Sequence, residues 1–189
     1  MAQAEYQLTL PAHTDTDDDP AVAAVLAKAK AQYGMIPNMY ARMANVPALL
    51  ETYRTGYDAF RQDSGFSPAE QETVLLAISR TNGCTYCVAV HSAVADMAKV
   101  PTEVTDALRN GAPLPDARLD ALARFTVTMV EKRGLPSRAD VEAFMAAGFT
   151  ERDVLQIVLA IAVKTISNYS NHLFHTPVEP SFAHRAWEH

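Results

Sequence analysis

Apolar residues recur along most of the chain at intervals of three and four positions, which is the spacing of one face of an α-helix. A short alternation of apolar and polar residues over 6–10 is the exception and predicts an extended arm. The predicted helices cover about 20–34, 47–62, 67–82, 84–99, 102–110, 118–132 and 137–147, and a last long helix runs from 150 through 166 and ends in the segment 167–172. The pattern therefore predicts an all-α fold.

Several helix ends carry specific capping signals. The segment 67–70 combines an N-cap serine, a proline in the first turn and a glutamate at the capping-box position. Thr150 likewise precedes an acidic first turn. Gly34 and the Asn-Gly dipeptide at 82–83 suit the positive φ at which helices commonly end. These residues fix where the predicted helices begin and end.

The chain is predicted to form an amino-terminal arm over 1–19 and one helical domain over 20–189. The Gly- and Pro-rich segment 111–115 is the best internal boundary, and it would divide the domain into halves of about 20–110 and 116–175.

The two halves share a weak internal similarity. When the chain is shifted by 83 residues, Leu-Ala-Ile at 76–78 falls on Leu-Ala-Ile at 159–161, and Cys84 falls on Ser167. Two buried helices can share such residues by chance. The alternative is a duplicated helical unit whose second copy helps to form the wall of a site in the first.

Composition narrows the class of protein. A chain of 189 residues with 49% apolar residues can bury roughly 70% of its unfolded surface, so it needs no disulfide framework. The net charge of −6 and the lack of a Lys/Arg-rich run argue against binding to nucleic acid or an anionic membrane. There is no signal peptide pattern and no membrane-spanning stretch. We therefore expect a cytoplasmic protein.

The chain has two cysteines, Cys84 and Cys87, which lie at the predicted start of a helix. Their spacing places the sulfurs about one turn apart, close enough for a disulfide with little backbone movement. In a cytoplasmic protein with no other thiol, such a pair indicates redox chemistry or metal binding more than a structural bond. The positive end of the helix dipole would lower the pKa of Cys84.

Two further residues have a spacing that suits thiol chemistry. His91 follows Cys87 by one helical turn, so its imidazole is expected to accept the Cys87 proton and favour a thiolate. Glu72 lies on the preceding helix, and the bend at 82–83 would fold it back over the sulfurs, where a carboxylate can orient the imidazole or move protons.

The same four side chains are also of the types that bind zinc, so a zinc site is the alternative interpretation. Structural zinc sites are usually richer in cysteine, and no second Cys/His pair with ligand spacing stands nearby, so no metal is predicted. A thioredoxin-like fold is rejected because its Cys-x-x-Cys follows a strand, whereas a capped helix precedes Cys84.

The spacing of Glu72, Cys84, Cys87 and His91 resembles the signature of the AhpD-like alkylhydroperoxidase and carboxymuconolactone decarboxylase family, in particular its peroxidase-related members. The resemblance is strong over 67–98 and weaker elsewhere. The narrower AhpD group has a histidine directly before the second cysteine, where this chain has Tyr86.

The resemblance implies an oligomeric all-α fold of two related helical halves, assembled as trimers or pairs of trimers. It also implies a dithiol peroxidase without a cofactor, in which Cys87 attacks the peroxide, Cys84 resolves the sulfenic acid as a disulfide, and Glu72 and His91 relay protons. The expected partners are a peroxide and a thiol reductant such as a dihydrolipoyl or thioredoxin-type donor. The dipole argument alone favours Cys84 as the acidic thiol, but a neighbouring base outweighs a dipole contribution of roughly 0.3–1 kcal/mol.

The segment 167–172 is unusually polar for the end of so apolar a helix. It is either an exposed helix end or a contribution from the second half to the dithiol pocket. In the second case Asn168, Asn171 and His172, together with Tyr86, would line the substrate pocket.

Two other functions fit the same residues. A cofactor-free decarboxylase of the carboxymuconolactone type would use His91 and Glu72 as acid and base, but that chemistry has no use for the cysteine pair. A non-catalytic redox sensor would respond to the bond between Cys84 and Cys87.

Overall fold

The computed structural model describes residues 4–188. Within this range the chain forms α-helices and one 3₁₀ helix, with no strand, so the predicted all-α class is confirmed. The helices are α1 (Pro20–Tyr33), α2 (Asn38–Met43), α3 (Pro47–Asp63), α4 (Pro68–Thr81), α5 (Thr85–Met97), α6 (Thr102–Asn110), α7 (Ala117–Glu131), α8 (Arg138–Ala146) and α9 (Glu151–Phe174), and the 3₁₀ helix is Pro180–Arg185.

The capping signals form as the sequence predicts. Ser67 and Glu70 make a reciprocal capping box at the start of α4, and Thr150 and Asp153 make another at the start of α9. Gly34 ends α1 with a φ of 74°. Since these interactions involve residues only a few positions apart, the local sequence is sufficient to place them.

The helix α2 was not among the predicted helices. As the sequence indicated, α9 includes the polar segment 167–172, and it ends at Phe174. The described part of the arm forms no strand. It packs instead through single backbone hydrogen bonds, from Leu8 N to Leu173 O and from His13 N to Ala41 O, each 2.9 Å long.

Helix α4 lies at the centre of the fold, where it contacts α5, α6, α7 and α9. Residues 70–79 are therefore all buried, including the charged Glu72. The contact between α4 and α7 joins the segments on either side of the predicted boundary at 111–115. The division of the domain into two related halves stays a prediction.

The cysteines lie in a core cluster formed by α1, α2, α3, α5 and α9. A second cluster, which includes the stacked rings of Phe125, Phe144 and Phe149, packs at the other end of α9. Across residues 4–188, every helix is too short or too polar to cross a bilayer.

Candidate active site

The turn between α4 and α5 positions the two cysteines. Gly83 adopts a φ of 70°, and the chain then enters α5 with Cys84 as the N-cap residue. The Cys84 Sγ accepts a hydrogen bond of 3.4 Å from the backbone N–H of Cys87. Both cysteines are unbridged and buried. The predicted placement of the pair at a helix start is confirmed.

The two thiols differ in acidity because their surroundings differ. Burial raises the pKa of the Cys84 thiol well above its usual range. Burial would also raise the pKa of Cys87, but hydrogen bonding from Cys84, the positive charge of Lys164 and the amide of Asn171 together lower that pKa to about 6. The Asn171 Nδ2 donates to the Cys87 Sγ over 3.2 Å. At neutral pH, Cys87 is therefore a thiolate and Cys84 a thiol.

A buried chain of polar side chains runs beside the cysteines. His91 Nδ1 lies 3.0 Å from Glu72 Oε2, and the other oxygen of Glu72 lies 2.5 Å from Arg61 Nη1. Burial would raise the pKa of Glu72, but His91 and the Arg61 charge lower it. Because Glu72 is a carboxylate, Nδ1 of His91 carries the proton and Nε2 is left as an acceptor.

His91 is neutral at physiological pH. Burial and the charge of Lys164 lower its pKa to about 4, although Glu72 acts in the opposite direction. The ring is therefore a weak base, held in one orientation by the carboxylate of Glu72.

The contact predicted between His91 and Cys87 is not made. Among residues 4–188 no hydrogen bond joins the two side chains, and Asn171 occupies the hydrogen-bonding position at the Cys87 sulfur. The i, i+4 spacing places both residues on one helix face, but Glu72 holds the imidazole. Glu72 orients the imidazole, which is one of the roles that the sequence suggested for it, and its other oxygen binds Arg61.

Cys87, His91 and Lys164 line one cavity of about 400 Å³. The remaining lining is mostly aromatic and apolar: Tyr33, Tyr40, Tyr53, Tyr57, Tyr86, Phe182, Met35, Met39, Met97, Pro37, Val90, Val94 and Ser181. Since His91 is neutral, Lys164 is the single cationic side chain among these lining residues, and the Cys87 thiolate is the anionic one. The cavity thus presents a sulfur nucleophile and one cation in an apolar, tyrosine-rich space.

Of the other residues predicted to line the pocket, Tyr86 lines the cavity and Asn168 and His172 do not. Tyr86 lines the cavity, and its hydroxyl donates to Glu179 Oε1 over 2.8 Å. Asn168 accepts a hydrogen bond from Asn82 and helps to lower the pKa of Cys87. His172 stacks against Tyr169 and is not among the cavity-lining residues.

Sequence reasoning missed Lys164, Arg61 and Glu179. Lys164 did carry a signal, because it is a lone charged residue within the apolar run 154–166 of α9. Arg61 gave none, since an arginine near the end of an amphipathic helix normally faces solvent. Glu179 lies beyond the last predicted helix and reaches Tyr86 through the fold of the carboxy-terminal segment.

No group of three or more His, Cys, Asp or Glu side chains within residues 4–188 is arranged to hold a metal ion. Glu72 and His91 contact each other, and the Cys87 sulfur lies beside Asn171.

Comparison with known proteins supports the resemblance. The carboxymuconolactone decarboxylase family matches residues 46–127. An alkylhydroperoxidase AhpD core, peroxidase-related protein from Ralstonia eutropha JMP134 has 23% identity and a TM-score of 0.79, with 92% of this chain and 93% of that chain covered. A peroxidase-related protein from Silicibacter sp. TM1040 has 23% identity and a TM-score of 0.75, with 96% of each chain covered.

The fold also resembles that of a debrominase. A variant of debrominase Bmp8 in complex with 2,3,4-tribromopyrrole has 15% identity and a TM-score of 0.76, with 96% of this chain and 97% of that chain covered. No curated protein matches the chain. The AhpD-like fold and the family resemblance inferred from the sequence are confirmed.

Proposed function

We propose that this protein is a dithiol peroxidase that reduces organic or hydrogen peroxide with electrons from an external thiol. The observation that carries the proposal is a Cys87 thiolate in the cavity lining, whose pKa is lowered to about 6, next to a buried Cys84 thiol whose sulfur accepts a hydrogen bond from the Cys87 N–H. A thiolate is the nucleophile in thiol chemistry, and a neighbouring thiol is what resolves its oxidised form.

The reaction takes place in two steps on the protein. The Cys87 thiolate attacks one peroxide oxygen, the O–O bond breaks, and Cys87 becomes a sulfenic acid while the leaving oxygen is protonated to an alcohol or water. The sulfur of Cys84 then attacks the sulfur of Cys87, and water leaves as the disulfide forms. A dithiol donor of the dihydrolipoyl or thioredoxin type returns two electrons and two protons. No step requires a bound cofactor.

The neighbouring residues support these steps. Asn171 stabilises the Cys87 thiolate by donating a hydrogen bond to it. His91 presents an acceptor nitrogen and Glu72 fixes that tautomer, so the pair can take a proton and pass it on. Tyr86 forms part of the cavity wall and links the Cys-x-x-Cys segment to Glu179.

Reductive dehalogenation of an aromatic ring is a second candidate, favoured by the five tyrosines that line the cavity. In that reaction the Cys87 thiolate takes a halogen from the ring, the ring carbon takes a proton, and Cys84 displaces halide to form the same disulfide. Debrominase Bmp8, whose fold is similar, is the protein that prompts this alternative.

One experiment distinguishes the peroxidase activity from the dehalogenase activity. The reduced protein is incubated with dihydrolipoamide and cumene hydroperoxide, hydrogen peroxide or 2,3,4-tribromopyrrole, and peroxide loss and bromide release are measured. We expect peroxide loss that disappears in Cys87→Ser and persists in the control Thr85→Ser, which changes a residue between the cysteines. Bromide release without peroxide loss would favour the second candidate. No turnover of any of these compounds would contradict both.

We also propose that the protein is a cytoplasmic homo-oligomer, with the trimer or hexamer implied by the family resemblance. The supporting observation is an exposed apolar stripe along α9, since exposed apolar patches of this kind commonly mark contact surfaces. The stripe consists of Leu155, Val158, Tyr169 and Leu173, of which Leu155 is 69% exposed.

A further inference from the structure

Lys164 is buried to an unusual degree for a lysine. Its side chain is 1% exposed, and it projects from the middle of α9 into the lining of the cavity that holds Cys87. Lysines are almost never fully buried unless they are paired, because removing an ammonium ion from water is costly. The position of Lys164 therefore calls for a counter-charge.

Carboxylates do not supply that counter-charge. Within residues 4–188 no hydrogen bond or ion pair links Lys164 Nζ to another side chain. The buried carboxylates near the cavity are bound elsewhere, Glu72 to Arg61 and His91, and Glu179 to Tyr86 and the Asn38 backbone. The group whose charge balances Lys164 is the thiolate of Cys87, whose pKa the lysine lowers.

The proposed reaction removes this negative charge. When Cys87 becomes a sulfenic acid, the charge moves to the departing alkoxide or hydroxide, which is a poor leaving group because it is the anion of a very weak acid. The leaving oxygen needs a proton inside a buried site. His91 is a poor source, since its single proton is held by Glu72, and the Tyr86 hydroxyl is bound to Glu179.

We infer that Lys164 Nζ is the proton donor to the leaving oxygen, an assignment that rests on the proposed peroxidase function. Cys87 thiolate, peroxide and the Lys164 ammonium give Cys87 sulfenic acid, alcohol and the neutral Lys164 amine. The Cys84 thiol and the sulfenic acid then give the disulfide and water. Each side of both equations has the same net charge, and the lysine regains its proton from solvent when reductant restores the thiolate.

Burial of the lysine then has a physical explanation. An ammonium left beside an uncharged disulfide would be a buried cation without a partner, which is unfavourable because the ion has lost its hydration. Because the lysine gives up its proton as the thiolate disappears, the cavity stays electrically balanced in both redox states.

The test compares two reactions of the same thiolate. Single-turnover rate constants are measured for cumene hydroperoxide and for iodoacetamide, and their ratio is taken at each pH. Both reactions need the thiolate, but iodide leaves without a proton, whereas the peroxide oxygen requires one. The ratio therefore reports proton donation independently of the Cys87 pKa.

Two substitutions of the lysine are compared. Lys164→Met should slow alkylation at neutral pH, because the Cys87 pKa rises, and should lower the ratio at least tenfold, since general acids typically contribute about 10²–10⁴-fold. Lys164→Arg keeps the positive charge, so alkylation should stay close to wild type. Its ratio should still fall, because a guanidinium keeps its proton in proteins and is a poor proton donor.

Asn171→Leu is the matched control, because it also raises the Cys87 pKa but leaves the lysine in place. Both of its rate constants should fall together, with the ratio unchanged. A wild-type ratio in Lys164→Arg would overturn the assignment even if Lys164→Met failed to fold. A wild-type protein that reacts rapidly with iodoacetamide but not with any peroxide would instead overturn the proposed peroxidase function.

Discussion

The side-chain amide of Asn171 donates a hydrogen bond of 3.2 Å to the sulfur of Cys87, although the two residues are 84 positions apart. This contact brings the polar end of α9 to the start of α5. The sequence offered two interpretations of the segment 167–172, an exposed helix end or a wall of the dithiol pocket. Asn171 and Asn168 are buried rather than exposed and act on the Cys87 sulfur, but neither is among the residues that line the cavity.

The contact predicts that Asn171→Leu will make Cys87 less acidic. A hydrogen bond to a charged group contributes about 1.5–3 kcal/mol, which corresponds to more than one pKa unit. Alkylation of Cys87 by iodoacetamide at pH 6 should therefore slow about tenfold, and the midpoint of its pH profile should move up from about 6. Substitution of Asn110, which is exposed at the end of α6, is the control. An unchanged midpoint would mean that Asn171 does not stabilise the thiolate.

The difference in acidity between the cysteines predicts which one is oxidised first. In Cys84→Ser, peroxide should leave a sulfenic acid on Cys87 that a dimedone probe can trap, because the resolving thiol is absent. In Cys87→Ser the remaining Cys84 thiol, whose pKa is raised by burial, should give little or no trapped product. Peptide mass mapping distinguishes the two sites, and a sulfenic acid found on Cys84 alone would reverse the roles.

The burial of a neutral His91 predicts a pH dependence of stability. Its pKa is lowered from 6.5 to about 4, so between these values the unfolded chain binds a proton that the folded chain does not. The free energy of unfolding should therefore fall as the pH falls from 6.5 to 4, by up to about 1.4 kcal/mol per pH unit from this residue.

Urea unfolding of wild type and His91→Gln across this range measures the effect, and the variant should show a shallower slope. Because His91 makes no hydrogen bond to Cys87, the same variant should change the rate of Cys87 alkylation by less than about threefold. A tenfold slower alkylation of Cys87 in this variant would instead support the direct contact between His91 and Cys87 that the sequence predicted.

The ion pair between Arg61 and Glu72 predicts a large loss of stability in Arg61→Met. The carboxylate of Glu72 is 1% exposed, and removal of its cation leaves a buried charge with one fewer partner. Breaking such a pair costs about 3 kcal/mol or more. Arg124→Met, which removes an exposed ion pair with Asp120, should cost less than about 1 kcal/mol. Equal losses in the two variants, measured by urea unfolding, would argue against a structural role for the buried pair.

The apolar stripe on α9 predicts self-association. Sedimentation equilibrium at micromolar concentration should give a mass that is a multiple of 20.6 kDa. Leu155→Glu, a change at the most exposed apolar residue of α9, should shift the protein toward smaller species without loss of helix content. A wild-type protein that sediments as a monomer would contradict the proposed assembly.

The sequence by itself determined the features that depend on neighbouring residues. The spacing of apolar residues by three and four positions predicted the all-α class, and the N-cap residues Ser67 and Thr150 marked the starts of α4 and α9. Cys84 was expected at or beside a helix start for the same local reason. The pairing of Glu72 with His91 could also be predicted from the sequence, because the turn at 82–83 folds α5 back so that it packs against α4.

Only the tertiary structure decided which groups surround the Cys87 sulfur. Helical spacing put His91 on the right face, but Glu72 competes for the same imidazole and holds it. Asn171 and Lys164 reach the site because α9 packs against α5, a contact between distant segments that no local pattern encodes. Hydrogen bonds and charges fall off over a few ångströms, so the acidity of Cys87 depends on this packing rather than on the residues beside it in the chain.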